Sequence, residues 1–109
     1  MEHLDYDTLN TLKDVMEDDF ALLLDTFMQD SSERISTLRA VIQQSDADLI
    51  RRAAHSFKGS CSNIGALHLS ALCASLEKKA LEQTLENLPQ DLDAIEQEFA
   101  QVQLLLRVL

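Results

Sequence analysis

The segment LIRRAAHSFKGSCSNIGALHLSALCASL, residues 49–76, decides the fold because it carries both a helical apolar stripe and a reversal of charge. In its first half, apolar residues recur at steps of three and four, the spacing of one buried face of an α-helix. They are Ile50, Ala54, Phe57, Cys61 and Ile64. The chain has a formal net charge of −10, yet this segment contains no Asp or Glu and holds Arg51, Arg52 and Lys58. We therefore expect a helix whose exposed surface suits a negatively charged partner.

His55 lies one residue away from the apolar stripe, on a different face of the predicted helix. The residues three, four and seven positions from it, which share its face, are Arg51, Lys58, Gly59 and Ser62. Glycine inside a helix costs about 1 kcal/mol relative to alanine, so we expect Gly59 to permit close approach to the imidazole ring. An exposed imidazole beside a cation and a residue without a side chain is suited to receive a phosphoryl group.

The run HSFKGS at residues 55–60, followed by NIGA at residues 63–66, resembles the signature of histidine-containing phosphotransfer (HPt) domains of bacterial phosphorelays. The run LCASLE at residues 72–77 is also similar to the next helix of that family. The resemblance implies a phosphorelay intermediate that accepts a phosphoryl group on Nε2 of His55 from the aspartyl phosphate of a receiver domain. The implied partners are the receiver domains of hybrid sensor kinases and of response regulators, to which the group then passes.

The same resemblance implies roles for residues around His55. Glu77, on the next helix, would face His55 and accept a hydrogen bond from its ring, which leaves Nε2 as the nucleophile. An open alternative is that Glu77 belongs to a surface patch with Lys78 and Lys79, and that one of these lysines reaches the site instead. The spacing of Lys58 lets its ammonium group reach phosphoryl oxygens on the ring.

The other basic and hydroxyl residues of the segment are expected to contribute less. Arg51 and Arg52 are interpreted as shaping the local field rather than touching the phosphoryl group. Ser60 and Ser62 offer hydroxyl groups, but serine is common in helices and the signal is weak. The resemblance implies no cofactor of the chain's own, because Mg²⁺ would come from the partner receiver domain.

Motifs of other functional classes are missing from the sequence. Neither GxxxxGK[ST] nor GxGxxG occurs, so we expect no ATP site and no autokinase activity, and hence a phosphoryl carrier rather than an enzyme. The alternative is a non-catalytic acidic helical protein-interaction module. A third interpretation, the dimerisation piece of a sensor kinase, predicts an acidic residue directly after the histidine, where Ser56 stands.

Length and composition indicate one all-α domain, residues 1–109, expected to be freestanding. The chain is 46% hydrophobic and has two glycines, one proline and no tryptophan, which favours helices. With no signal peptide and no apolar run of membrane-spanning length, we expect a cytoplasmic monomer. The strong acidity argues against binding to nucleic acid or to an anionic membrane.

The apolar periodicity predicts an up-down-up-down four-helix bundle with a short additional N-terminal helix. Asp5 or Asp7 is expected to cap the short helix, whose apolar side includes Val15. The acidic residues 17–19 are expected to open a long helix over residues 18–44, with negative charge at the positive end of the helix dipole.

The remaining three helices follow from capping and turn residues. Ser45, with Asp48 at capping-box spacing, is expected to cap the helix that carries the apolar stripe, and Gly65 to end it. The next helix is expected to start near Leu67, and the last one after a turn that contains Pro89.

The cysteines and the other histidines are not predicted to form a site. Cys61 and Cys73 lie on apolar stripes and are expected to be small buried residues in a reducing compartment. Together with His55 and His68 they show no spacing typical of zinc, so we expect no metal site. His68 is interpreted as structural or exposed, and His3 as part of a frayed terminus.

Overall fold

Helices account for almost all of the computed structural model, which describes every residue from Met1 to Leu109. The helices are α1 (Tyr6–Met16), a 3₁₀ turn (Glu17–Asp19), α2 (Phe20–Gln43), α3 (Ala47–Ile64), α4 (Leu67–Leu81) and α5 (Leu88–Leu106). α2 packs against α3 and α5, and α4 packs against the same two helices, so the four long helices close into a bundle. The predicted up-down-up-down bundle with a short N-terminal helix is confirmed. None of the helices combines the length and apolar composition that a membrane crossing requires.

The bundle core is built from the apolar stripes that the sequence predicts. All five stripe residues of α3 are buried, as are those of α5 from Leu92 to Leu106. In α2 the stripe includes Ser31, which is fully buried, while Ile42 near the end of the helix is only partly buried.

The short helix α1 contributes less to this core than its apolar residues suggest. It buries Leu9 and partly buries Leu12 and Met16. Val15, predicted to face inward, is 75% exposed. Val15 lies about 100° around the helix from Met16, and α1 has only one narrow face against the bundle.

The N-terminus of α1 is capped by Asp5, one of the two predicted candidates. Its carboxylate accepts hydrogen bonds from the backbone N–H of Asp7 and of Thr8 and from the Thr8 hydroxyl group. These bonds, led by that of the Thr8 hydroxyl, hold the pKa of Asp5 below its usual value. Asp5 is therefore an ionised cap at neutral pH.

Two predicted helix starts are wrong by one or two residues. Glu17 has φ of +51°, so residues 17–19 form a 3₁₀ turn between α1 and α2, and the long helix begins at Phe20. Ser45 has φ of +53°, whereas an N-cap residue needs extended backbone. Asp46 caps α3 instead, with its carboxylate accepting from Leu49 N–H at 3.1 Å.

Gly65 ends α3, as predicted, and also seats the start of α1. Its φ of +81° is left-handed, and its backbone N–H donates to the Ser62 carbonyl. Its carbonyl accepts from the Asp5 backbone N–H at 2.8 Å. A Cβ at this position would lie 3.2 Å from atoms of Asp5 and Thr8. The position therefore needs glycine for both its backbone conformation and its close packing.

Candidate functional site

His55 stands near the middle of α3 with its side chain 63% exposed. Its neighbours Ala54 and Phe57 are fully buried, so the backbone that carries the ring is fixed by the core. Nδ1 of the ring lies 2.7 Å from Oε2 of Glu77. An ionised carboxylate can only accept, so Nδ1 carries the proton and donates it. Nε2 is then left with a free lone pair on an exposed ring.

Glu77 connects His55 to Lys58 across the seam between α3 and α4. Its Oε1 accepts a hydrogen bond of 2.7 Å from Lys58 Nζ, while Oε2 accepts from His55. The Lys58 ammonium group and, to a smaller extent, the His55 ring hold the pKa of Glu77 below its usual value against the opposing effect of burial. Glu77 is therefore ionised at neutral pH and orients both side chains.

The position of Glu77 settles the choice that the sequence left open. Of the three residues in the predicted surface patch, Glu77 alone contacts His55. Lys79 turns toward α5, where its Nζ donates to both oxygens of Asp91 at 3.0 and 2.8 Å. Lys78 is exposed and makes no hydrogen bond or ion pair. Neither lysine joins the cluster around His55.

Gly59 lies one helical turn beyond His55 and is exposed. A Cβ built there would meet no atom within 4 Å. Its backbone has no left-handed φ, in contrast to Gly65. No contact within the protein accounts for this glycine, so the open space beside the imidazole is available to an approaching molecule.

The hydroxyl groups near the site belong mainly to helix packing. Ser62 Oγ lies 2.7 Å from Ser70 Oγ on α4, and the Ser70 hydroxyl also donates weakly to the Lys58 carbonyl at 3.4 Å. Ser62 shares a helix face with His55 but makes no contact with the ring. Ser70 was not predicted from sequence, because nothing in the pattern of α4 marks it as a partner of α3.

The basic residues Arg51 and Arg52 do not act as free cations. Both pair with Asp48, at 3.0 and 2.9 Å respectively. Asp48 lies in the first turn of α3, one residue before the segment that lacks acids. The positive field predicted from Arg51 and Arg52 is therefore partly cancelled, although these exposed pairs are weak and a charged partner could displace them.

One further cation lies close to the residue that follows His55. Arg34 of α2 donates to the Ser56 hydroxyl at 2.6 Å and to Asp30 at 2.7 Å. The sequence could not have indicated this contact, since Arg34 and Ser56 are 22 residues apart on different helices.

The cysteines fulfil the prediction of small buried residues. Both are free and buried between α3 and α4. Hydrogen bonding with Cys73 and burial raise the pKa of the Cys61 thiol far above its usual value. The Cys61 thiol is therefore neutral and unreactive.

The prediction of a frayed terminus at His3 is wrong. Nδ1 of His3 donates to Oε2 of Glu98 at 2.6 Å, and the next residue, Leu4, is buried in the core. His68 Nδ1 lies 3.3 Å from Oε1 of the same carboxylate. Glu98 is buried and was not singled out from the sequence, where it reads as one of several acidic residues of α5.

Comparison with known proteins agrees with this arrangement. The sequence model of a family described as Hpt domain matches residues 22–104. The chain is also similar to a solved structure, the crystal structure of histidine-containing phosphotransfer protein B (HptB) from Pseudomonas aeruginosa PAO1. The sequence identity is 45%, the match covers 96% of this chain and 91% of that chain, and the TM-score is 0.94. No curated protein sequence matches the chain significantly.

The sequence match covers most of the chain, and the solved structure shares its helical bundle. Hpt domains interact with receiver domains in phosphorelays, and they are phosphoryl carriers rather than enzymes in the usual sense. The resemblance stated from the residues of α3 is thereby confirmed. The chain belongs to the Hpt domain family and is a phosphotransfer intermediate of a phosphorelay.

Proposed function

We propose that His55 is the residue that carries the phosphoryl group, and that Nε2 is the nucleophile. One observation carries this assignment: Glu77 holds Nδ1 at 2.7 Å while the ring is 63% exposed. The other two histidines are less suited, because His3 and His68 both have Nδ1 against a buried carboxylate and less exposed side chains, at 43% and 39%.

In the proposed transfer, the donor is the aspartyl phosphate of one receiver domain. The lone pair of Nε2 attacks phosphorus in line, the N–P bond forms, and the bond between phosphorus and the aspartyl oxygen breaks. The aspartyl carboxylate leaves with the electron pair, and the ring keeps its Nδ1 proton and gains positive charge. The Glu77 carboxylate stabilises that charge. The reverse sequence delivers the group to a second receiver domain.

Lys58 and Gly59 have complementary parts in this proposal. When the phosphoryl group is on Nε2, the Lys58 ammonium can move from Glu77 to a phosphoryl oxygen. Lys58 can reach that oxygen because it lies about one turn after His55 on the same face of α3. Gly59 leaves room for the receiver surface beside the ring. Arg51 and Arg52 exchange Asp48 for acidic groups of the receiver domain and so assist docking.

The chain has no other part in the chemistry. We propose that Mg²⁺ and the carboxylates that bind it belong to the receiver domain, and that the chain neither binds ATP nor phosphorylates itself. The Hpt bundle acts as a monomer, since its core is buried within one chain. We place it in the cytoplasm, because the unpaired thiols of Cys61 and Cys73 suit a reducing compartment.

The test is a phosphotransfer assay with a panel of radiolabelled phospho-receiver domains. Wild-type protein is compared with His55→Gln and with the matched control His68→Gln. We expect label on wild type and on His68→Gln, labile to acid and stable to alkali, and none on His55→Gln. Label on folded His55→Gln would refute the assignment. If no receiver domain labels the folded wild type, the proposed donor class is wrong.

A further inference from the structure

A second cluster of chemically active side chains lies away from His55, where the N-terminal segment meets α4 and α5. It consists of His3, His68 and Glu98, whose candidate ligand atoms all lie within 4.8 Å of one another. In sequence, Glu98 is 95 residues from His3 and 30 residues from His68, so only the fold brings the three together. Along α4, His68 is about 14 Å from Glu77 at the usual rise per residue, which separates this cluster from the one at His55.

Each member of the cluster is attached to a residue fixed in the core. Leu4, Leu69 and Phe99, which follow His3, His68 and Glu98 in sequence, are all buried. The three backbone positions are therefore held by packing in three separate segments of the chain. Side chains placed in this way need little reorganisation to act on a common ligand.

The carboxylate of the cluster is buried, whereas its two histidine rings are half-exposed. Glu98 is 6% exposed, and its two oxygens are approached by one histidine each, at 2.6 and 3.3 Å. The histidine side chains are 43% and 39% exposed. A buried carboxylate needs compensation by a cation or by hydrogen bonds. The His3 ring supplies one hydrogen bond and the His68 ring only a polar contact at 3.3 Å, so the carboxylate is incompletely compensated. Both rings are half-exposed and leave a path by which an ion can enter.

The donor set is that of a transition-metal site. Two imidazole nitrogens and one carboxylate oxygen suit Zn²⁺ and related first-row divalent ions. In a tetrahedral zinc site, ligand atoms lie about 3.4 Å apart. The separation of 3.3 Å between His68 Nδ1 and Glu98 Oε1 already matches this value. His3 Nδ1 lies 2.6 Å from the other oxygen, Oε2, and all candidate ligand atoms lie within 4.8 Å of one another, so shifts of about an ångström or two bring them around one ion.

We propose that His3, His68 and Glu98 form a binding site for one divalent transition-metal ion, with Zn²⁺ as its representative. Water completes the coordination on the exposed side. Each ring offers the Nδ1 lone pair to the ion and carries its single N–H proton on Nε2, so a proton now on Nδ1 passes through solvent to Nε2. The bound ion ties the N-terminal segment to α4 and α5. This proposal differs from the sequence-based prediction of no metal site. That prediction rests on the spacing of the histidines and cysteines within residues 55–73 and does not include His3 or Glu98.

The test is calorimetric titration of Zn²⁺ into chelator-treated protein without a polyhistidine tag. We expect one Zn²⁺ per chain and a higher Tm in its presence. His3→Gln, His68→Gln and Glu98→Gln should each lower the affinity by roughly tenfold or more, because loss even of a partner that only orients a ligand costs that much. His55→Gln is the matched control, since His55 and Glu77 are the other histidine–carboxylate pair, and it should bind Zn²⁺ as wild type does.

His3→Gln keeps the test decisive if the other two variants fold poorly, because His3 lies outside the helices. Co²⁺ provides a second measurement, as its visible absorption becomes intense in a tetrahedral site and should be lost in His3→Gln. Equal Zn²⁺ affinity in wild type and His3→Gln would overturn the proposal. So would an absence of binding to wild type, which would leave the cluster as a tether for the N-terminus. Neither result depends on phosphotransfer.

Discussion

The carboxylate of Glu77 on α4 lies 2.7 Å from Nδ1 of His55 on α3, so the exposed ring is held by a residue from the neighbouring helix. The same carboxylate binds Lys58 with its other oxygen. One acidic side chain thus sets the tautomer of the imidazole and the position of the nearest cation. This bridge positions both groups, and substitution of Glu77 tests its effect on each of them.

Loss of the Glu77 carboxylate should slow phosphotransfer without unfolding the bundle. In Glu77→Ala, Nδ1 loses its acceptor and the ring is free to rotate, so we expect the transfer rate to fall about tenfold. Glu77→Gln keeps an acceptor oxygen for Nδ1–H but loses the negative charge, so its transfer rate should lie between those of wild type and Glu77→Ala. Single-turnover transfer from a phospho-receiver domain measures these rates. A wild-type rate in folded Glu77→Ala would contradict the assigned role.

The bridge should also contribute to stability in a pH-dependent way. The pKa of Glu77 is lower in the folded protein than its ordinary value of 4.5. As pH falls, the unfolded chain therefore takes up the proton first. The stabilisation is fully present above about pH 4.5 and is lost as pH falls through the folded pKa.

Chemical unfolding of wild type and Glu77→Gln at a series of pH values isolates this contribution, since other carboxyl groups affect both proteins alike. We expect wild type to be the more stable at neutral pH and the difference to shrink as pH falls below about 4.5. A stability difference that grows on acidification would show that folding raises the pKa of Glu77 instead of lowering it.

Gly59 should be needed for binding of the partner but not for folding. Gly59→Ala meets no atom within 4 Å and removes a helical glycine, so we expect the free energy of unfolding to rise by about 0.5–1 kcal/mol. Binding of a receiver domain and transfer from it should weaken, because the new methyl group occupies the space beside the ring. Urea unfolding and a binding titration measure the two effects.

Gly65→Ala is the matched control for Gly59. Its left-handed φ and its 3.2 Å contacts with Asp5 and Thr8 predict a loss of about 1–2 kcal/mol in stability. If Gly59→Ala raises the free energy of unfolding but leaves receiver binding unchanged, the open space beside the His55 ring has no role in docking.

Ser31 offers a test of the core that is independent of the site. Its hydroxyl oxygen is buried without a hydrogen-bond partner, in the middle of the apolar stripe of α2. Because an unsatisfied buried hydroxyl group is unfavourable, Ser31→Ala should raise the free energy of unfolding by about 1 kcal/mol. Ser32→Ala, at the adjacent exposed position, should leave it nearly unchanged. Destabilisation by Ser31→Ala would indicate that the hydroxyl group does have a partner.

The sequence predicts those features that depend on local spacing. The stripe of α3, its end at Gly65 and the exposed position of His55 follow from residues within a few turns of one another. Glu77 is an intermediate case, because the resemblance placed it opposite His55 while its neighbours Lys78 and Lys79 were equally near in sequence. The contact between helices, which excludes both lysines, depends on the rotation of α4 about its axis.

Features that depend on backbone conformation or on distant contacts were missed. The left-handed φ of Ser45 moves the cap of α3 to Asp46, and a pattern of residue types does not reveal φ. Asp48, which pairs with Arg51 and Arg52, lies one residue before the segment 49–76, so the composition of that segment does not reveal the pairing. His3 and Glu98 are 95 residues apart, and only the packed bundle brings them into contact.

NMR of the phosphorylated protein, uniformly labelled with the NMR-active isotope of nitrogen, identifies the atom that carries the phosphoryl group. We expect one histidine to acquire coupling between nitrogen and phosphorus, at Nε2 of His55, with the Nδ1 proton retained and the rings of His3 and His68 unchanged. Phosphorus on Nδ1 of His55, or on either of the other two histidines, would contradict the account.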